Sequence, residues 1–217
     1  MQKMKEYEII VPALYDEVVA EFCGGFAAVR KGDKWGFVNK QGEDVVPCKY
    51  DSVGWFSGGF AKVRLNGKWG FVNRQGEEVV PCKYDDTWDF SEGIASVKLN
   101  GKWGFVNEQG EEVIPCKYDG VRRFSDGFAA VELNGRWGFV NEQGEEVIPC
   151  KYGDAKWFSD GFAAVELNGK WGFVNKQGEE VIPCKYGDAN GFYNGFAMVR
   201  LNGKWGYVNK QGEERWD

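Results

Sequence analysis

Histidine is absent from this 217-residue chain. That absence removes the commonest general base and the commonest metal ligand, and no Ser–His–Asp set is possible. Basic charge is also short: 27 basic side chains face 33 acidic ones, a net charge of −6. A nucleic-acid footprint needs a basic face, so that class of partner is not expected. Long apolar runs are missing, and the mean hydropathy is −0.48. Nothing approaches the ~18 residues of a membrane-spanning helix, and no membrane association is expected. No glycine-rich loop leads into a helix, so no phosphate cradle is indicated. What remains is a chain rich in glycine and aromatics, with 31 Gly, 10 Trp, 16 Phe and 9 Tyr.

Proline and cysteine are scarce, at six each, and their positions are regular. Pro47, Pro81, Pro115, Pro149 and Pro183 are spaced by 34 residues, as are Cys48, Cys82, Cys116, Cys150 and Cys184. Trp35, Trp69, Trp103, Trp137, Trp171 and Trp205 keep the same interval. A fixed period in the range of ~20–50 residues is the signature of a repeat architecture. The units run over about 22–55, 56–89, 90–123, 124–157, 158–191 and 192–217, all within one repeat domain. The fourth and fifth differ at only four of 34 positions: 136/170, 142/176, 156/190 and 157/191. Copies so alike indicate recent duplication or an engineered consensus.

Inside a unit the local signals are strand and turn. Phe60–Leu65 leads through Asn66-Gly67 into Lys68–Asn73. Asn-Gly between two such runs signals a type I′ hairpin, because both residues tolerate positive φ. After Gln75-Gly76 comes a third run, Glu78–Tyr84. These strands, A, B and C, form an antiparallel meander, and no helical periodicity is sustained. Apolar side chains fall on both faces of each strand, as Trp69 and Phe71 against Gly70 and Val72 illustrate. Each small sheet must therefore lie between neighbours, with the Trp-Gly pattern serving the core and Gly70 leaving room for a backbone or a ring.

The expected fold is all-β: six antiparallel β-meander repeats in a closed, propeller-like ring, with an open β-solenoid as the alternative. Residues 8–15 resemble strand C, whereas the last unit stops at Glu213-Glu214 without a strand C of its own. The N-terminal strand is thus expected to complete the last blade, which would remove both free edges.

The recurring Gly-Phe-Ala-x-Val-x-x-Asn-Gly-Lys-Trp-Gly-Phe-Val-Asn-x-x-Gly-Glu-x-Val-x-Pro-x-x-Tyr-Asp resembles the bacterial WG (KWG) repeat from about Glu8 to Glu214. Asn-Gly-Lys-Trp-Gly-Phe-Val-Asn returns nearly intact five times. The first copy departs from it, with Lys31-Gly32-Asp33-Lys34. The resemblance implies a bacterial all-β repeat domain that scaffolds or mediates interactions. It implies no shared enzymatic activity, so no catalytic residue is carried over.

The repeated cysteines suit neither a metal site nor a disulfide framework. Ligand sets use close pairs, and equivalent positions in stacked sheets lie ~10 Å apart, beyond the ~7 Å that a disulfide spans. They read as small buried free thiols. Cys23 lies in a polar turn and is expected to be exposed. Free thiols and the lack of a signal peptide suggest a reducing, cytoplasmic setting. Asn73-x-Gln75-Gly76-Glu77 lacks the alternating aspartates of a cation loop and reads as a turn. No metal, cofactor or catalytic set is expected.

The segments after Tyr-Asp vary most: 52–55, 86–89, 120–123, 154–157 and 188–191. Equivalent placement would bring them to one face, where repeat proteins build binding surfaces. Candidate anchors are Trp55, Trp88, Arg122, Arg123, Lys156 and Trp157, since Trp and Arg dominate binding hot spots. The alternative is drift in solvent loops. The expected function is a monomeric, non-catalytic module that binds a protein or peptide through this face. The other readings are a lectin-like propeller that stacks sugars on Trp55, Trp88 and Trp157, and a symmetric scaffold without a ligand. A closed ring of this length should have a radius of gyration of ~17 Å. Small-angle scattering checks this, and a markedly larger value indicates a rod.

Overall fold

The computed structural model describes residues 14–19 and 23–216. Among these the chain is all-β, with six four-stranded sheets and no helix. The second sheet is representative. A two-residue lead strand, Ser52–Val53, is followed by A (Phe60–Leu65), B (Lys68–Asn73) and C (Glu78–Tyr84), each hydrogen-bonded to the next in an antiparallel meander. Four-stranded meanders of this kind are the blades of propeller-like folds. The other lead strands are Glu17–Val18, Asp86–Thr87, Gly120–Val121, Asp154–Ser159 and Asp188–Ala189. By packing, the chain falls into two compact units. One is the residues up to Asn100 with Val106–Glu112, and the other is Gly101–Phe105 with Val113 onward.

Two differences from the sequence expectation concern strands. The variable segments are not free loops: their first residues form the lead strands, so the second sheet begins at Ser52, ahead of strands A, B and C. A two-residue strand is too short for alternation to reveal it. The sixth unit also has its own strand C. Glu214–Trp216 pairs with B through Val208↔Glu214, Tyr207↔Arg215 and Gly206↔Trp216. Three residues of chain end supply the pairing that seven supply elsewhere. Of the strand expected at residues 8–15, residues 8–13 lie outside the described residues, Leu14 is in a turn and Tyr15 is irregular.

The hairpin signals are realised in the backbone. Asn66 and Gly67 both take positive φ, 52° and 78°, as a type I′ turn requires. The B–C pairing carries register irregularities around Phe71, where strand C bulges toward B. There a Cβ on Gly70 would collide with the Val80 carbonyl and the backbone of Pro81 and Cys82. Its sixth-unit counterpart, Gly206, instead meets the ring of Trp216. The WG glycine is therefore a contact with strand C.

The core lies between sheets. Ala28, Phe37, Val46 and Tyr50 of the first sheet pack against Ala61, Val63 and Val72 of the second, with Phe56 among them. The fourth and fifth sheets repeat this with Ala130, Phe139, Ile148 and Tyr152 against Ala163, Val165 and Val174, with Phe158 inserted. The inserted phenylalanine is the recurring lock. Phe56 lies 4.4 Å from Phe26 and 4.8 Å from Phe37, and Phe158 lies 4.8 Å from Phe128 and 4.9 Å from Phe139. Phe192 does the same to Phe162 and Phe173. Each ring leaves one sheet to fill the face of the one before.

Removing such a ring leaves a cavity that rigid sheets cannot close. Phe158→Ala is expected to lower unfolding free energy by about 3–5 kcal/mol in a denaturant titration. Its exposed neighbour provides the contrast, with Trp157→Ala changing stability by roughly 0.5 kcal/mol or less.

Candidate functional site

The face that carries the lead strands joins successive sheets through side chains. After Val121, Arg122 donates from Nη2 to Asp154 Oδ1 of the next lead strand at 3.0 Å. Its guanidinium lies 4.9 Å from the centre of the Trp137 ring. Lys156 occupies the equivalent place one repeat later. Its Nζ donates to the Ala189 carbonyl at 2.5 Å, stands 3.9 Å from Asp188 and lies 5.0 Å from the Trp171 ring. In the second sheet the same position is Gly54, and the cation comes from strand A instead. Lys62 lies 5.9 Å from Trp69 and 3.6 Å from Asp89, and its stem fills the space that a Cβ on Gly54 would need.

A second kind of cation reaches the same tryptophans from the cross-strand position. Arg64, directly opposite Trp69, lies 5.8 Å from its ring, and Arg30 and Arg200 stand likewise at Trp35 and Trp205. In the fourth and fifth sheets that position is glutamate, Glu132 and Glu166, and there the segment cations Arg122 and Lys156 cover the ring. Two of the six candidate anchors, Arg122 and Lys156, are thus half-buried and engaged within the chain. Trp88 is also half-buried, while Arg123 is exposed. Trp55 and Trp157, equivalent residues three repeats apart, remain 50% and 54% exposed.

Sequence reasoning missed one feature, a cleft of about 220 Å³ between the first sheet and the second lead strand. Val19, Ala28 and Trp35 form one wall, and Ser52, Val53, Gly54 and Trp55 the other. It joins an exposed candidate, Trp55, to a repeated tryptophan that composition assigned to the core. A signal for it was present. The strand-A position that holds Lys62 in the second unit is Ala28 in the first, and the position of Arg122 is taken by Val19, whose amide donates to the Ala28 carbonyl as that of Arg122 does to Ala130.

The remaining polar groups are structural. All six cysteines are half-buried and outside any disulfide, including Cys23, whose backbone pairs with that of Phe26 in its turn. Burial, followed by the nearby charges of Glu78, Glu146 and Glu180, pushes the thiols of Cys82, Cys150 and Cys184 up to about 11. Their Sγ atoms point to the carbonyls of Val63, Val131 and Val165 at 3.6–3.7 Å. Protonated thiols of this kind are poor nucleophiles and poor metal ligands. Tyr50 and Tyr186 donate to Glu78 and Glu214 of the following sheet, at 3.2 and 2.6 Å. Burial, with Glu146 as a lesser cause, pushes the Tyr118 phenol up to about 12. Asn73 closes its loop by accepting from the Gln75 and Glu77 amides at 3.0 Å, which leaves no open oxygen cage there. Among the described residues no three acidic or cysteine side chains gather as metal ligands.

The model of the "WG containing repeat" family matches six consecutive stretches, 7–35, 35–69, 69–103, 103–137, 137–171 and 171–205. No curated protein sequence matches. Among solved structures, a eukaryotic initiation factor aligns at 11% identity and TM-score 0.48 over 95% of this chain, which spans 66%, just under two thirds, of that one. Kluyveromyces lactis Hsv2p aligns at 11% identity and TM-score 0.47, over 89% of this chain and 74% of its own. The AfRom2 CNH domain aligns at 7% identity and TM-score 0.39, over 93% and 83%. No function is carried over from these structures.

Two outcomes follow from the site's chemistry. The folded chain favours the protonated thiols and phenols, so their contribution to stability is complete below the ordinary thiol value of 9.0. It is lost as pH rises through the shifted values of about 11 and 12. The melting midpoint is therefore expected to be flat up to about pH 9 and to fall between about pH 9 and 12. Arg122→Glu sets a carboxylate against Asp154 and should lower the midpoint, whereas Arg123→Glu, at an exposed position, should leave it within about 1–2 °C.

Proposed function

This chain belongs to the WG-repeat family, and from that premise we propose that its repeat scaffold works without catalysis, as a docking module for a protein or peptide. The observation that carries this reading is the contrast between engaged and exposed side chains in the variable segments. Arg122 and Lys156 are engaged within the chain, while Trp55 and Trp157 are left half-exposed at the same repeat position. Large aromatic surface held on a rigid frame binds at little entropic cost, which is why tryptophan anchors interfaces. The chain has no histidine, and burial keeps the Cys150 thiol protonated, which is in keeping with a role other than catalysis. The protein is read as a monomer, and its free thiols suit a reducing compartment such as the cytoplasm.

A carbohydrate ligand is the second reading, favoured by the same exposed rings. The cleft beside Trp55, at about 220 Å³, is smaller than the ~300–1,000 Å³ of typical small-molecule sites and suits a single side chain better.

A displayed peptide library tests both readings. Peptides selected on the native chain should lose binding to a Trp55→Ala/Trp157→Ala double variant whose melting midpoint is unchanged. Retained binding by the double variant would overturn the assignment of these residues. A strong signal on a glycan array, lost in the same variant, would replace the peptide with a sugar.

A further inference from the structure

We infer that the cleft between Trp35 and Trp55 receives a cationic side chain, arginine or lysine, from a partner peptide. The inference rests on the docking role proposed above and names the chemistry that it would recognise. The same chain fills the equivalent space with a cation of its own one, three and four repeats further on.

In the second, fourth and fifth sheets, the space beside the strand-B tryptophan is occupied by the chain's own cation: Lys62, Arg122 or Lys156. Arg122 and Lys156 reach the lead strand of the next sheet and meet acceptors there. These are the Asp154 carboxylate for Arg122, and the Ala189 carbonyl with the Asp188 carboxylate nearby for Lys156. At the first sheet the corresponding space is open, and the wall where Lys62 stands in the second sheet is the methyl group of Ala28. The ring at its base, Trp35, is half-buried, and Trp55 supplies a second, half-exposed ring at its rim. An indole face attracts a cation most strongly among aromatic side chains.

Arg30 does not fill this role, although it stands 5.8 Å from Trp35. It comes from the cross-strand position, and its guanidinium is held by Glu17 at 2.9 Å and by the Gly32 carbonyl at 2.8 Å. The second sheet shows that the two positions are compatible, since Trp69 carries Arg64 and Lys62 together. One element of the internal pattern is missing from the cleft. Where the fifth and sixth lead strands have Asp154 and Asp188, the second has Ser52. A visiting cation therefore meets aromatic faces and a hydroxyl without a carboxylate, which makes the site weaker than its internal counterparts and reversible.

The test follows the indole Nε1–H signals of Trp35 and Trp55 in the full-length chain by NMR. The probes are acetyl-Gly-Arg-Gly-amide and the same tripeptide with citrulline, which keeps the shape and removes the charge. The arginine probe should shift both signals with a dissociation constant in the millimolar range, leaving Trp157 unmoved, and citrulline should bind about tenfold more weakly. Ser52→Asp restores the missing carboxylate and should tighten arginine binding by about fivefold. Trp55→Ala should abolish the shifts without changing the melting midpoint. Equal binding of citrulline overturns the cationic assignment but leaves the docking role standing. So does the absence of any shift in the native chain and in Ser52→Asp, because the docking role is judged separately by library peptides on the double variant.

Discussion

Sheets of this protein carry apolar side chains on both faces, and packing on a neighbour is what buries them. The phenylalanine that leaves the lead strand of one sheet to pack on the strand-A and strand-B rings of the preceding sheet provides that packing. Phe56, Phe158 and Phe192 do so at ring separations of 4.4–5.0 Å. Phe90 and Phe124 approach Phe71 and Phe105 at 4.8 and 5.1 Å. The tyrosine-to-glutamate links and the Gln-Gly turns, whose glycines sit against strand C of the previous sheet, reinforce the same joint. Repetition follows from this. A unit that buries its neighbour's face and exposes its own needs another unit after it.

The same logic orders the polar side chains. In the first, second, fourth, fifth and sixth sheets a cation stands over the strand-B indole, and the chain supplies it from whichever position allows. Arginine opposite the tryptophan serves in the first, second and sixth sheets, and Arg122 and Lys156 in the fourth and fifth, where the opposite residue is Glu132 or Glu166. Variation that looks like drift along the sequence is thus partly compensation across a joint. A cation–π contact contributes only about 0.5–2 kcal/mol, so it can move between positions without endangering the fold. The phenylalanine lock, which contributes more, does not move.

Near-uniform repeats also make the exceptions legible as chemistry. The fourth and fifth units are almost the same sequence, yet Lys156 and Trp157 give way to Asn190 and Gly191, at the last joint before the sixth sheet. The cleft between Trp35 and Trp55 is another exception. It lies where the first sheet offers the methyl group of Ala28 and the second sheet has Lys62. Function in such a protein is read from departures within a repeated frame, and each departure has a reference state elsewhere in the same chain.

The period, the three long strands, the type I′ turns and the two-sided burial were all legible in the sequence, because each depends on local chemistry repeated at a fixed interval. Asn66-Gly67 needs positive φ whatever surrounds it, and alternation in Lys68–Asn73 declares two buried faces. The lead strands were not legible. Ser52–Val53 and Asp86–Thr87 have too few residues to show a pattern, and only their pairing with strand A makes them strands. Trp55 was visible as a candidate, but its cleft was not, since Trp35 and Ala28 join it from another sheet. Arg122 and Lys156 looked like free anchors because their partners, Asp154 and the Ala189 carbonyl, lie 32 and 33 residues away. The sequence by itself determined what each unit is, because local propensity and pattern act within a few residues. Tertiary structure alone decided which cations are already engaged and which ring is left open, because both are settled by what the neighbouring sheet brings within reach.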